Sequence, residues 1–153
     1  MTAATSNTQT ALTDSLNRLL ADCFALYLKT KNFHWHVRGP QFRDLHLLFD
    51  EQAAEILTLT DLVAERVRKN GATTLTSIGA IAAQSRIGDQ DDANLSAEKM
   101  IAELAEDNRT LIAALREAKA AAGAAGDNAT EGAADDWTDQ AEQRVWFLTS
   151  LLA

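Results

Sequence analysis

Residues 34–65 read HWHVRGPQFRDLHLLFDEQAAEILTLTDLVAE, and this stretch decides the fold. Gly39-Pro40 divides it, because proline disfavours helix in the residue before it. Pro40 is in turn well placed to open a second helix. Beyond the break Leu45, Phe49, Gln52, Ile56, Leu59, Val63 and Val67 recur every three to four residues, the mark of an amphipathic helix. Asn70-Gly71 supplies its stop. Before the break the same spacing joins Leu12, Leu16, Leu19, Cys23, Tyr27, Thr30, Phe33 and His34. A first helix is therefore predicted from about Ala11 to the Gly39-Pro40 corner. The ten residues before it, MTAATSNTQT, are small, polar and free of Lys and Arg. They read as a frayed arm over 1–10, leaving 11–153 as one domain.

On the other side of the stretch, residues 72–93 are mixed, with one short helix expected at Ile78 to Ala83. Ser96 suits the N-cap of a third long helix, with Glu98 in its first turn. Met100, Ile101, Leu104, Leu111, Leu115 and Ala118 carry its apolar face, and it ends around Gly123 to Gly126. A fourth helix runs from about Thr130 to the end, with Trp137, Ala141, Val145, Leu148 and Leu152 on one side. The prediction is all-α: four long helices, with a short helix in the long connection between helices two and three. That connection is longer than a hairpin needs, so it reads as the crossover of a ferritin-like four-helix bundle. The formal net charge is −8, which disfavours DNA, since phosphate binding rests on Lys and Arg. Cys23, the single cysteine, has no internal partner and is expected as inert core; a reducing cytoplasm fits. No stretch reads as a signal peptide or a membrane span.

The three histidines, His34, His36 and His46, fall within thirteen residues, and two of them sit at the corner. His46 and Asp50 are spaced i,i+4 and share a face of helix two; Asp61 and Glu65 repeat that spacing. Eleven residues separate Asp50 from Asp61, a net rotation of only about 20° but a rise of about 16 Å. Both pairs point the same way, yet ligand bonds are about 2 Å long, so one chain cannot close both pairs on one metal. Two antiparallel copies of the helix would, setting His46-Asp50 of one against Asp61-Glu65 of the other. His34 would complete the set. Imidazoles with carboxylates suit iron, manganese or zinc rather than copper(I). The chain has no Glu-x-x-His, which disfavours a di-iron centre inside the bundle.

The stretch from His34 to Phe42, then Leu45-His46 with Phe49-Asp50, Asp61 with Ala64-Glu65-Arg66, and Trp146-Phe147 near the end resembles the Dps mini-ferritins from about residue 11 to 152. His34, His46, Asp50, Asp61 and Glu65 match the family's ferroxidase ligands. The resemblance implies a homo-oligomer, a hollow dodecamer with two-fold shared sites. It would oxidise Fe(II), preferably with hydrogen peroxide, and store ferric mineral; zinc is a substitute for iron at such ligands. Two departures stand out. His36 sits where the family commonly has asparagine, and the basic tail that many members use on DNA is absent. His36 reads as a corner hydrogen-bonding residue, and Trp35 as either packing or a neighbour of the metal site. Glu51 and Glu55 are either a solvated face or a nucleation surface for mineral. Glu131, Asp135 and Asp139 either favour the helix dipole or border iron-entry pores. Rival readings are a DNA-packing protein and a scaffold with structural zinc.

Overall fold

The computed structural model describes residues 2–153. Its helices are α1 (Ala3–His36), α2 (Phe42–Lys69), α3 (Ile78–Gln84), α4 (Ala97–Ala125) and α5 (Asn128–Ser150). The expected apolar faces are the buried ones: Leu12, Leu16, Leu19 and Phe33 on α1, Phe49, Ile56, Val63 and Val67 on α2, Leu104, Leu111 and Leu115 on α4, and Trp137, Ala141 and Leu148 on α5 all line one core. Leu152 is an exception, at 41 % exposure in the turn beyond α5.

Three boundaries differ from expectation. The stretch expected as a frayed arm is helical from Ala3, with Met1 outside the described residues. Thr2 caps it by accepting from Thr5 N, and Gln9 donates to the side chain and carbonyl of Asn70, so the arm gains a cap and a tertiary anchor. Pro40 does not open α2. It sits in a turn closed by Phe42 N donating to Gly39 O, and Gly39 has φ 115°, a conformation that side chains resist. Finally, α5 begins two residues before Thr130, because Asp127 caps it by accepting from Thr130 N. The turn before it reverses through Gly126 at φ 72°, a left-handed C-cap.

The topology follows from cross-links along α1. Asn17 reaches Thr73 O, Asp22 reaches Arg86, Lys29 reaches Gly88 O, and Asn32 reaches Gln90 O. The rising pairs mean that the crossover runs parallel to α1, back from the end of α2. Then α4 returns antiparallel to α1, with Lys29 ion-paired to Asp107 and Arg86 to Glu117. These four long helices form the bundle, and α3 lies on α1 in the crossover. No helix is long and apolar enough to cross a membrane.

Candidate metal centre

The corner between α1 and α2 brings three of the five predicted ligands together. His34 Nδ1 lies 2.6 Å from His46 O, and His46 Nδ1 lies 2.7 Å from His34 O. A carbonyl can only accept, so both Nδ1 atoms carry a proton, leaving Nε2 as the ring nitrogen that could hold a metal. The rings stack at 3.9 Å, and Phe42 covers the other face of His46 at 5.1 Å. This reciprocal pair fixes the orientation of both imidazoles, the kind of support that metal-ligating histidines need. His34 Nε2 is 3.8 Å from Asp50 Oδ1.

Lys31, which the sequence did not single out, occupies that same oxygen at 2.8 Å. Its hydrogen bond holds the Asp50 carboxyl below the usual carboxylate range. The ammonium lies 5.7 Å over the Trp35 ring, so Trp35 stands beside the cluster, half exposed rather than core-packed. His36 turns away, its Nδ1 2.7 Å from Asn32 Oδ1.

Asp61 and Glu65 lie on the same outward side of α2 and are exposed. Within one chain they do not join the corner cluster. Among the described residues no group of three or more His, Cys, Asp or Glu side chains could hold a metal ion. Residues 13–153 match the model of the ferritin-like domain.

The chain belongs to the ferritin-like family.

Within that family it is a Dps-type mini-ferritin. It is 34 % identical to the DNA protection during starvation protein of Brevibacillus brevis, over 90 % of this chain and 91 % of that protein. The solved structure of Dps from Thermosynechococcus elongatus superposes with a TM-score of 0.95 at 28 % identity, covering 99 % of this chain and 96 % of that one. Dps from Vibrio cholerae O1, described as a member of a broad superfamily of ferritin-like diiron-carboxylate proteins, superposes at 0.91 with 26 % identity, covering 96 % and 92 %.

The interior of this mini-ferritin holds a buried cation that the sequence reading did not single out. Ferritin-like di-iron bundles point carboxylates and histidines inward from facing helices. Here the guanidinium of Arg144, 2 % exposed, fills that space. Its Nε donates to Asn108 at 2.8 Å and its Nη1 to Glu55 at 3.1 Å. Burial pushes the Arg144 pKa down, and Glu55 offsets that; a guanidinium stays charged regardless. A fixed cation there repels a second one. Cys23 shares this interior, and burial pushes its thiol up to about 12, leaving neither nucleophile nor metal ligand at neutral pH. The signal was present in the sequence: position 144 falls on the buried stripe of α5, between Ala141 and Leu148.

The remaining acidic residues separate. Glu55 is the partner of Arg144, whereas Glu51 is exposed. On α5, Asp135 pairs with Lys119 of α4, Glu131 lies against Gly123, and Asp139 is exposed.

Proposed function

We propose that this chain is an iron-storing, protective mini-ferritin whose copies pack α2 against antiparallel α2, completing two Fe(II)-oxidising sites per dimer. The observation that carries the reading is the outward face of α2. His46, Asp50, Asp61 and Glu65 lie on it, and between the half-sites it shows Ala54 and Leu57, the latter 43 % exposed. Leu57, with Leu47 and Leu62 also exposed on α2, is apolar surface that a partner helix would cover. One register serves every position: the two-fold that sets Asp50 against Asp61 also sets His46 against Glu65 and the small Ala54 against the large Leu57.

His34, His46 and Asp50 would bind Fe(II) from one copy, and Asp61 and Glu65 from the other. With hydrogen peroxide as the preferred oxidant, two Fe(II) lose one electron each. The O–O bond breaks and protons carry its oxygens to water. The ferric product is stored as mineral in a hollow dodecamer. This removes both reagents of hydroxyl-radical chemistry. The protein binds and positions, and the redox chemistry belongs to iron and peroxide. Glu131, Asp135 and Asp139 are proposed to border the entry pores, and Glu51 to face mineral. Trp35 stands beside the site. The cytoplasm is the proposed location, and the acidic surface is proposed to leave DNA unbound; retardation of duplex DNA in a low-salt gel shift contradicts that part.

The test is an anaerobic Fe(II) titration on protein of measured mass, followed by a peroxide pulse. The reading expects a large closed oligomer, saturable Fe(II) binding and rapid oxidation on the pulse. A monomer that binds Fe(II) at full stoichiometry overturns the shared site. Zinc binding without any iron turnover favours a structural zinc scaffold.

A further inference from the structure

The two halves of the proposed site are held differently. His34, His46 and Asp50 are fixed by their own side-chain hydrogen bonds. Asp61 and Glu65 are exposed, and no side-chain hydrogen bond or ion pair holds them among the described residues. Their aim rests on the backbone of α2 from Asp61 to its end at Lys69, and helix ends fray because their final carbonyls lack intrahelical partners.

That end is tied down by one polar knot. Arg66, next in sequence to Glu65 and turned the other way, donates through Nη2 to both carboxylate oxygens of Asp127, at 2.9 and 3.0 Å. Its Nε donates to Thr130 Oγ1 at 2.7 Å. Asn70 Nδ2 donates to Asp127 Oδ2 and to Arg66 O, both at 2.9 Å, and Gln9 Nε2 donates to Asn70 Oδ1 at 2.9 Å. Asp127 also caps α5. Thus the end of α2 and the start of α5 meet on Asp127, whose side chain is 10 % exposed, and α1 joins them through Asn70.

We propose that Arg66 and Asp127 are positioning residues for the Asp61/Glu65 half-site, holding the end of α2 so that both carboxylates meet the metal that the second copy presents. The inference rests on the shared-site reading above. Metal–ligand distances tolerate only about 0.2 Å, so a fraying helix end loses affinity before it loses the fold. Residues that orient ligands typically contribute about 10- to 100-fold in metal affinity.

The experiment is a Co(II) titration of the assembled oligomer, Co(II) being a probe that needs no oxidation step. Asp127→Asn is expected to weaken Co(II) binding by about 10-fold or more at unchanged mass. Asp22→Asn is the matched control: it loosens the buried ion pair that joins α1 to Arg86 of the crossover, and is expected to lower the melting temperature while keeping wild-type affinity. Wild-type affinity in Asp127→Asn overturns the inference, as does an equal loss in Asp22→Asn, which makes the effect one of general stability. If Asp127→Asn fails to assemble, Asn70→Ala carries the test, since it keeps the ion pair; several-fold weaker binding supports the inference and unchanged binding overturns it. Equal Co(II) binding by wild type and Asp61→Ala overturns the shared site itself, and this inference with it.

Discussion

Helix α2 carries acidic side chains on two faces, and the two faces treat them in opposite ways. On the inward side, Glu55 meets Arg144, a cation 2 % exposed that also holds Asn108. On the outward side, Asp50 meets Lys31, a side chain still 21 % exposed, and Asp61 and Glu65 are bare. A carboxylate whose counter-charge is a packed guanidinium is committed, because separating them strands a charge in low dielectric. One whose counter-charge is a flexible ammonium in reach of water can exchange it for a metal. Position relative to solvent, more than the number of carboxylates, decides which face could admit a metal.

The comparison breaks most sharply at the outward ligands. Asp50→Ala and Glu65→Ala are each expected to abolish fast Fe(II) oxidation while leaving the oligomer's mass unchanged, since neither side chain is packed. The two residues lie about 22 Å apart along one helix, yet would serve one site. In a mixed dimer one site therefore loses both carboxylates and the other keeps all five ligands. Disassembly and remixing of the two variants is expected to recover part of the turnover. Verified mixed dimers with no recovery would sink the shared site.

The inward face predicts a stability effect instead. Arg144→Leu removes the buried partner of Asn108 and the counter-charge of Glu55, so unfolding by urea should show a loss of about 3 kcal/mol or more. Fe(II) oxidation per folded subunit should hold near the wild-type rate. A large fall in that rate, with stability unchanged, would mean that the interior takes part in the chemistry.

Acid separates the faces further. Burial alone would raise the Asp127 pKa, but hydrogen bonds from Thr130, Asn70 and Arg66 outweigh it and hold the carboxyl well below the usual range. A depressed folded pKa gives stability that is present above the unfolded value, about 3.9, and lost as pH falls through the folded one. Stability between pH 4 and pH 2 should therefore decline less steeply in Asp127→Asn than in wild type, as followed by urea midpoints. Equal slopes would remove Asp127 from the acid response.

How much of this was readable beforehand varied by contact range. The apolar stripes of α2 and α4 named their core residues correctly, and that of α1 did so except for the half-buried Tyr27 and His34, because helical spacing is a local property. The position of His34, His46 and Asp50 at one corner followed from the Gly39-Pro40 break. Arg144 was missed although its spacing placed it on a buried stripe, since a basic residue is read as solvated unless its partners are known. Those partners, Glu55 and Asn108, lie on other helices. Asp22 and Lys29 hid for the same reason: seven residues apart on α1, they face the crossover rather than water, and only tertiary structure shows it. Asp127 had a local signal, an aspartate after a helix-ending glycine, and was passed over for Thr130.

The smallest expected effect lies at Lys31, and it tests how loosely the outward face holds its counter-charge. The ammonium sits on Asp50 Oδ1 at 2.8 Å, the oxygen that also lies nearest His34 Nε2. A metal bound between that imidazole and this oxygen displaces the lysine. Lys31 then competes with metal, and removing it should strengthen binding. Asp50 is half exposed, at 52 %, so water screens the pair; exposed pairs contribute at most about 1 kcal/mol. Lys31→Met, which keeps most of the chain length over Trp35, is therefore expected to bind Co(II) or Zn(II) a few-fold more tightly, with less than about 1 kcal/mol change in unfolding free energy. Added salt should narrow the gap between variant and wild type, because screening weakens the competitor in the wild type alone. Weaker metal binding in Lys31→Met would reverse the assignment and make Lys31 a support that holds Asp50 in its binding rotamer. Unchanged binding would show that the metal approaches through the other carboxylate oxygen.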